Sequence, residues 1–219
     1  MALQLIIFDF DGVVADSETV ACDVLARFVT ELGRPMSLDE SLDRFVGKRI
    51  GDVTSTVEQL VGRPLPGFAN DLQRRTLAAF RTELHEVPGL TPFLRKHGSI
   101  NRCIASSSAP ERIRVCIEIL GLSDYFGQHI FSAEGLTRGK PFPDIFLHAA
   151  KVMRVDPKDV VVIEDSPGGV EAGVAAGMCV IGLLAASHIR AGHEAMLRAK
   201  GAKFIAHSYE DISAFLTRL

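Results

Sequence analysis

The chain has 219 residues, of which 47% are hydrophobic and 23% charged, with a formal net charge of -3. This length and composition are typical of a globular protein with a full hydrophobic core in one or two domains. The balance of charges offers no basic surface for nucleic acid, and no apolar run approaches the roughly 18 residues that a membrane span requires. We therefore expect neither nucleic acid nor membrane as a partner.

The chain begins with an apolar run, residues 5–8, followed by Asp9, Asp11 and Gly12. The run predicts a strand buried on both faces, with the two acids at its carboxyl end, where open α/β sheets bind their ligands. Side chains two residues apart in a strand point the same way, so these carboxylates repel each other unless a cation or a shared proton lies between them. This stretch alone leaves a plain turn as the alternative.

Residues 16–86 show apolar residues at helical spacing with no intervening strand. A basic loop flanked by glycines, residues 47–51, carries Lys48 and Arg49. Helices without strands between them cannot be the crossovers of a parallel sheet, so we expect a helical insert after the first strand. The predicted domains are a core of residues 1–15 and 87–219 and an α-helical cap of residues 16–86. The helices predicted in this insert start near residue 16 and cover residues 37–45, 52–61 and 70–84.

From residue 87 onward, strand and helix patterns alternate. This alternation predicts an α/β fold with a doubly wound, Rossmann-like parallel sheet. One polar helix, expected over residues 187–200, carries His188, for which both a solvated position and a place at a site remain open. The other predicted strands cover residues 102–105, 129–131, 159–163, 178–183 and 203–206. The other predicted helices cover residues 90–97, 110–120, 145–153, 166–176 and 210–219.

Polar side chains follow four of the predicted strands, and in a parallel sheet these ends lie along one edge. Clustered carboxylates suit Mg²⁺, a serine cluster at a helix start suits a phosphate, and a lysine supplies a point charge for the same anion. Together they indicate a phosphoryl-transfer site, although each cluster alone has a simpler reading as a cap or a surface charge. The residues are Asp9 and Asp11, Ser106 and Ser107, Lys140, and Glu164 and Asp165.

Four segments in this order resemble the motifs of the haloacid dehalogenase superfamily, in the subclass of phosphatases with a helical cap after the first strand. The segments are Asp-Phe-Asp-Gly-Val-Val at residues 9–14, Ile-Ala-Ser-Ser-Ser at 104–108, Gly-Lys-Pro-Phe-Pro-Asp at 139–144 and Glu-Asp-Ser at 164–166. The resemblance covers essentially the whole chain. It implies Mg²⁺ as cofactor and a small phosphorylated metabolite as substrate.

The resemblance also implies roles for the acids. Asp9 would be the nucleophile that forms an aspartyl-phosphate, and Asp11 the general acid and then the general base. Asp9, the backbone carbonyl of Asp11, and Asp165 would bind the metal ion. Glu164 would be a further ligand or would hold a metal-bound water.

The remaining residues are expected to bind the substrate. Ser106 and the N–H of Ser107 would hold phosphoryl oxygens, and Lys140 would neutralise charge between the nucleophile and the phosphoryl group. In the cap, Lys48 and Arg49 are candidates for contact with the rest of the substrate, with solvated surface cations as the alternative.

Asp11 favours phosphate esters over halides, since a leaving alkoxide needs a proton and a halide does not. Mutases that resemble this chain carry a histidine five residues after the aspartate at position 16, where this sequence has Ala21, so hydrolysis is favoured over a mutase of the beta-phosphoglucomutase type. A phosphoryl-receiver signalling module is a third possibility, although such modules are shorter and lack the insert.

We expect a phosphoric monoester hydrolase for a sugar, sugar-acid or polyol phosphate, as a monomer or homodimer. The lack of a signal peptide and four scattered cysteines favour a reduced, cytoplasmic protein.

Overall fold

The computed structural model describes residues 2–218, and Met1 and Leu219 lie outside the described residues. The chain forms two compact units: a core unit of residues up to 15 and from 86 onward, and a helical unit of residues 16–85. The four cysteines are free thiols. Among the described residues, the helices are too short or too polar to cross a bilayer.

The helical unit contains four helices around its own apolar core. The stacked rings of Phe28 and Phe68 lie 5.0 Å apart, and the Arg75 guanidinium lies 4.1 Å from the Phe28 ring centroid. The buried hydroxyl of Ser41 donates to the carbonyl of Cys22 at 2.8 Å. Ring packing joins the first helix to the fourth, and this buried hydrogen bond joins the first helix to the second. They are α1 (Glu18–Glu31), α2 (Leu38–Phe45), α3 (Ile50–Val61) and α4 (Phe68–Glu83).

The core unit contains a six-stranded sheet in which every pairing is parallel, which confirms the predicted α/β class. Its central strands are buried along their whole length and, apart from Glu164, apolar, because helices cover both faces of such a sheet. The strands are β1 (Leu5–Phe8), β2 (Asn101–Ser106), β3 (Ile130–Ser132), β4 (Val160–Glu164), β5 (Cys179–Leu183) and β6 (Phe204–Ala206).

The strand order, β3-β2-β1-β4-β5-β6, determines where a site can form. The chain runs from β1 outward to β3 and then returns to place β4 on the other side of β1. Phe8 pairs with Ile104 of β2 and with Ile163 of β4. The carboxyl ends of β2, β1 and β4 therefore lie side by side at the point where the order reverses, which is where doubly wound sheets bind ligands.

Seven α-helices of the described residues flank this sheet, and two of them follow the central strands β2 and β4. The helix after β2 has Pro110 in its first turn, and the helix after β4 is capped by Ser166, whose hydroxyl accepts from the N–H of Gly169 at 3.0 Å. The helices are α5 (Leu90–Lys96), α6 (Pro110–Ile119), α7 (Ser123–Phe126), α8 (Asp144–Met153), α9 (Pro167–Ala175), α10 (His193–Ala199) and α11 (Tyr209–Leu216).

Some helix limits differ from the sequence-based expectations. The helix expected over residues 187–200 is wrong in its first part, because α10 begins only after Gly192, a left-handed residue with φ of 85°. His188 therefore lies in a loop. The helix α3 begins at Ile50, inside the predicted basic loop, and the short α7 was not predicted. The last helix was expected to reach Leu219, which lies outside the described residues.

Candidate active site

Three buried carboxylates meet at the carboxyl ends of β1 and β4. The N–H of Asp9 donates to the carbonyl of Ile163 at 3.0 Å, so Asp9 extends the pairing of the two strands by one residue. Glu164 ends β4, and Asp165 follows it. Carboxylate oxygens of Asp9, Glu164 and Asp165 lie within 4.8 Å of one another. A group of three such oxygens could hold a metal ion.

The ammonium of Lys140 lies among these acids. Its Nζ is 2.5 Å from Asp9 Oδ1 and 2.6 Å from Glu164 Oε1, and it donates to the carbonyl of Ala105 at 3.2 Å. Burial lowers the pKa of Lys140, but the two carboxylates raise it by more. The net pKa therefore lies above the usual range for lysine, and the side chain is a fixed positive charge.

The cluster has more negative than positive charge. When ionised, the three carboxylates carry three negative charges against the single positive charge of Lys140, an excess of two. Burial raises the pKa of Asp9 and of Asp165 well above the usual range. The Glu164 carboxylate raises both pKa values further, and Lys140 opposes the shift. A further cation in the cluster would relieve this repulsion.

Glu164 is held at both of its carboxylate oxygens. Its Oε2 accepts from the N–H of Ser166 at 2.8 Å and from the Ser166 hydroxyl at 2.9 Å, while its Oε1 accepts from Lys140. A Cβ at Gly169 would lie 1.7 Å from Oε1. The first turn of α9 therefore approaches the carboxylate closely because residue 169 is a glycine.

Asp11 is paired with a residue that the sequence analysis missed. The Arg112 guanidinium on α6 lies 2.7 Å from Asp11 Oδ1 and 2.9 Å from Oδ2, and the Ser108 hydroxyl donates to Oδ2 at 2.6 Å. Arg112 also donates to the Ser108 hydroxyl. The two bonds make this a bidentate pair of guanidinium and carboxylate. The sequence offered one hint of this contact, since Arg112 lies one helical turn beyond the serine cluster after β2.

The two serines expected at the phosphate site differ in exposure. Ser106 is buried at the end of β2, and its hydroxyl accepts from the N–H of Ser108 at 3.1 Å. Ser107 is exposed. The Ser132 hydroxyl at the end of β3 donates to the carbonyl of Ser108 at 2.7 Å, which ties the turn to the neighbouring strand.

Two histidines from the segment after β5 contact Asp165. His188 Nε2 lies 3.1 Å from Asp165 Oδ2, and His193 Nε2 lies 2.5 Å from the carbonyl oxygen of Asp165. His188 is buried, so the solvated alternative for this residue is wrong. The only hint in the sequence was that both histidines follow β5, the strand beside β4.

The core unit thus brings together Asp9, Lys140, Glu164 and Asp165. Asp11 lies after β1, Ser106 is the last residue of the adjacent β2, and the exposed Ser107 follows it. Lys48 and Arg49 are exposed residues of the helical unit, and Arg49 is the N-cap of α3.

Comparisons with known proteins identify the family of this chain. Residues 3–177 match the family model described as haloacid dehalogenase-like hydrolase. The chain is 27% identical to 6-phosphogluconate phosphatase of Escherichia coli, over 85% of each sequence. It is 30% identical to beta-phosphoglucomutase of Bacillus subtilis, over 83% of each sequence.

A solved structure with the same fold is a haloacid dehalogenase family hydrolase from Deinococcus radiodurans, crystallised with bound phosphate and sodium. It is 31% identical to this chain, has a TM-score of 0.84, and is matched over 99% of this chain and 96% of its own. The family match covers most of the chain, and these relatives align over nearly their full length. This chain therefore belongs to the haloacid dehalogenase-like hydrolase family.

Proposed function

We propose that the protein is a Mg²⁺-dependent phosphatase that hydrolyses a small sugar, sugar-acid or polyol phosphate through an aspartyl-phosphate on Asp9. The observation that carries the proposal is the buried cluster of three carboxylates around the Lys140 ammonium. A relative named as a 6-phosphogluconate phosphatase and a structural neighbour with bound phosphate support this substrate class. The cytoplasmic location and the monomeric or dimeric state stay predictions.

The residues present fit a magnesium ion. Carboxylate and carbonyl oxygens are the ligands that Mg²⁺ prefers, and the excess of two negative charges in the cluster equals the charge of the ion. Asp9, Asp165 and the backbone carbonyl of Asp11 would hold it. Glu164 binds Lys140 and Ser166 with its two oxygens, which favours the role of fixing these neighbours and a metal-bound water. When bound, Mg²⁺ stabilises negative charge on the phosphoryl oxygens.

In the first step, Asp9 attacks the phosphorus atom of the ester. A bond forms between its carboxylate oxygen and phosphorus, the bond from phosphorus to the leaving oxygen breaks, and Asp11 donates its proton to that oxygen. The Lys140 ammonium offsets the charge of Asp9 and of the transferring group. Ser106 and the N–H of Ser107 are proposed to bind phosphoryl oxygens at the end of β2.

In the second step, water attacks the aspartyl-phosphate and Asp11 accepts its proton. Phosphate leaves and the Asp9 carboxylate is restored. The Arg112 guanidinium and the Ser108 hydroxyl hold the Asp11 carboxylate by hydrogen bonds in the structure.

The test is release of phosphate from p-nitrophenyl phosphate and from a panel of sugar, sugar-acid and polyol phosphates, with Mg²⁺ or with a chelator. We expect turnover only with Mg²⁺ and a loss of at least about 1,000-fold in Asp9→Asn. Asp156→Asn, a change at an aspartate whose side chain is half exposed, is the control and should leave turnover intact. No turnover of any ester, or turnover that survives Asp9→Asn, would contradict the proposal.

The same panel separates the alternatives. Interconversion of sugar 1- and 6-phosphates without release of phosphate would indicate a mutase, which the relationship to beta-phosphoglucomutase keeps in view. Ala21, where resembling mutases carry a histidine, favours hydrolysis. Labelling of Asp9 by a phosphoryl donor without further turnover would indicate a signalling module.

We further propose that Lys48 and Arg49 of the helical unit bind the part of the substrate distant from the phosphoryl group. Each lost charged hydrogen bond is worth about 1.5–3 kcal/mol, so Lys48→Ala or Arg49→Ala should raise KM roughly 10-fold or more with little change in kcat. Arg63→Ala, at another exposed cation of this unit, is the matched control. An unchanged KM in both variants would contradict this role.

A further inference from the structure

The segment that joins β5 to α10 folds back onto Asp165. His188, in this segment, is 5% exposed, and its Nε2 lies 3.1 Å from Asp165 Oδ2. An N–H at Nε2 would donate a hydrogen bond to the Asp165 carboxylate at this distance. The sequence motif around Asp165 does not contain His188. This residue belongs to the segment that follows β5, the strand beside β4.

The backbone of Gly12 packs against both Asp165 and His188. A Cβ added to Gly12 would lie 1.8 Å from Asp165 Oδ2 and 2.8 Å from Cε1 of His188. The carboxylate and the imidazole thus both pack against the residue that follows Asp11. A side chain at residue 12 would therefore overlap both groups.

A second histidine of the same connection fixes the main chain of Asp165. His193 is the first residue of α10, and its Nε2 lies 2.5 Å from the carbonyl oxygen of Asp165. The ring centroids of His188 and His193 lie 6.3 Å apart with nearly perpendicular planes, at 89°. The two rings therefore hold the side chain and the backbone of one residue.

We infer that His188 is a positioning residue that orients the Asp165 carboxylate toward the cation site. The inference rests on the proposed function, in which Asp165 binds Mg²⁺. The neighbouring Glu164 carboxylate repels Asp165, and the contact of His188 with Oδ2 holds Asp165 against that repulsion. Partners that orient metal ligands in this way typically change metal affinity 10–100-fold when they are removed.

The experiment compares His188→Gln with His188→Asn. Both replacements are neutral amides, but only glutamine carries its amide nitrogen at the reach of Nε2. Calorimetric titration of Mg²⁺ into the metal-free protein measures the affinity directly, without reliance on turnover. We expect His188→Asn to weaken Mg²⁺ binding 10–100-fold and His188→Gln to stay within about threefold of the wild type. The activation constant for Mg²⁺ should shift in parallel, with a smaller change in kcat at saturating Mg²⁺.

The control is His207→Asn, because His207 is an exposed histidine of the same unit and should leave the affinity unchanged. Equal Mg²⁺ affinity in wild type and His188→Asn, or an equal loss in the Asn and Gln variants, would overturn the inference. If the Asn variant fails to fold, His188→Leu, which fills the space without a donor, takes its place with the same expected loss. A wild type that binds no Mg²⁺ would overturn the metal site of the proposed function, whereas the variants test His188 alone.

Discussion

Adjacent glycines in the first turn of α9 offer a matched test of the site's geometry. A Cβ at Gly168 would meet nothing within 4 Å, whereas a Cβ at Gly169 would lie 1.7 Å from Oε1 and 1.9 Å from Cδ of Glu164. Both glycines lie within α9, and neither has a positive φ. The two alanine variants therefore differ mainly in whether the new methyl group displaces the Glu164 carboxylate.

The two substitutions should change the free energy of unfolding in opposite directions. Gly168→Ala should stabilise the protein by about 0.5–1 kcal/mol, because alanine loses less backbone entropy in a helix. Gly169→Ala moves a fully buried carboxylate away from Lys140 and Ser166. Breaking a buried ion pair costs about 3–5 kcal/mol, so the net loss is about 2–4 kcal/mol after the helix gain.

Thermal denaturation and turnover of p-nitrophenyl phosphate measure both effects. For a protein of this size, a loss of about 3 kcal/mol lowers Tm by roughly 6–12 °C, while Gly168→Ala should raise Tm slightly. Turnover should fall at least about 10-fold in Gly169→Ala and stay unchanged in Gly168→Ala, because Glu164 holds the lysine beside Asp9. If Gly169→Ala is as stable and as active as Gly168→Ala, the close packing of α9 on Glu164 does not support the site, and the reasoning is refuted.

Further substitutions and conditions test the same cluster. Gly12→Ala places a methyl group against Asp165 and should weaken Mg²⁺ binding about 10-fold or more, whereas Gly135→Ala, with a similar positive φ but open space, should not. Tyr209→Phe removes a buried hydroxyl that donates at 2.7 Å to a main-chain carbonyl after β1, and urea denaturation should show a loss of about 1 kcal/mol. Folding raises the pKa of Asp9 and Asp165, so their contribution to stability is present below the unfolded value of about 3.9 and is lost as pH rises through the folded values. The increase in Tm that Mg²⁺ produces should therefore be larger at about pH 7.5 than at about pH 5, and an equal increase at both would contradict this account.

The strands and the acids beside them were predictable because their signals are local. An apolar run reports a strand buried on both faces, and the residues that follow it stand at the end of that strand whatever the rest of the chain does. The alternation of strand and helix then requires parallel pairing, which brings such ends to one edge. Asp9, Glu164 and Asp165 were predictable on this ground, and Lys140 belongs to the loop that follows β3.

The partners of these residues were not predictable in the same way. Arg112 and His188 lie in stretches whose local patterns suit a solvated helix or loop equally well, and their carboxylate partners are distant in sequence. The helix expected over residues 187–200 left both a solvated position and a place at a site open for His188. Gly192, with its positive φ, delays the helix and leaves a loop that reaches Asp165.

The sequence by itself thus determined the fold class and the four residues at the centre of the site, since periodicity and strand-end chemistry are properties of short segments. Only the tertiary structure decided which donors hold those residues. The order of the strands places β2 and its helix on one side of β1, and β4 and β5 on the other. That order decides that Asp11 is bound by Arg112 and Asp165 by His188, because each contact depends on packing between segments that carry no local signal for one another.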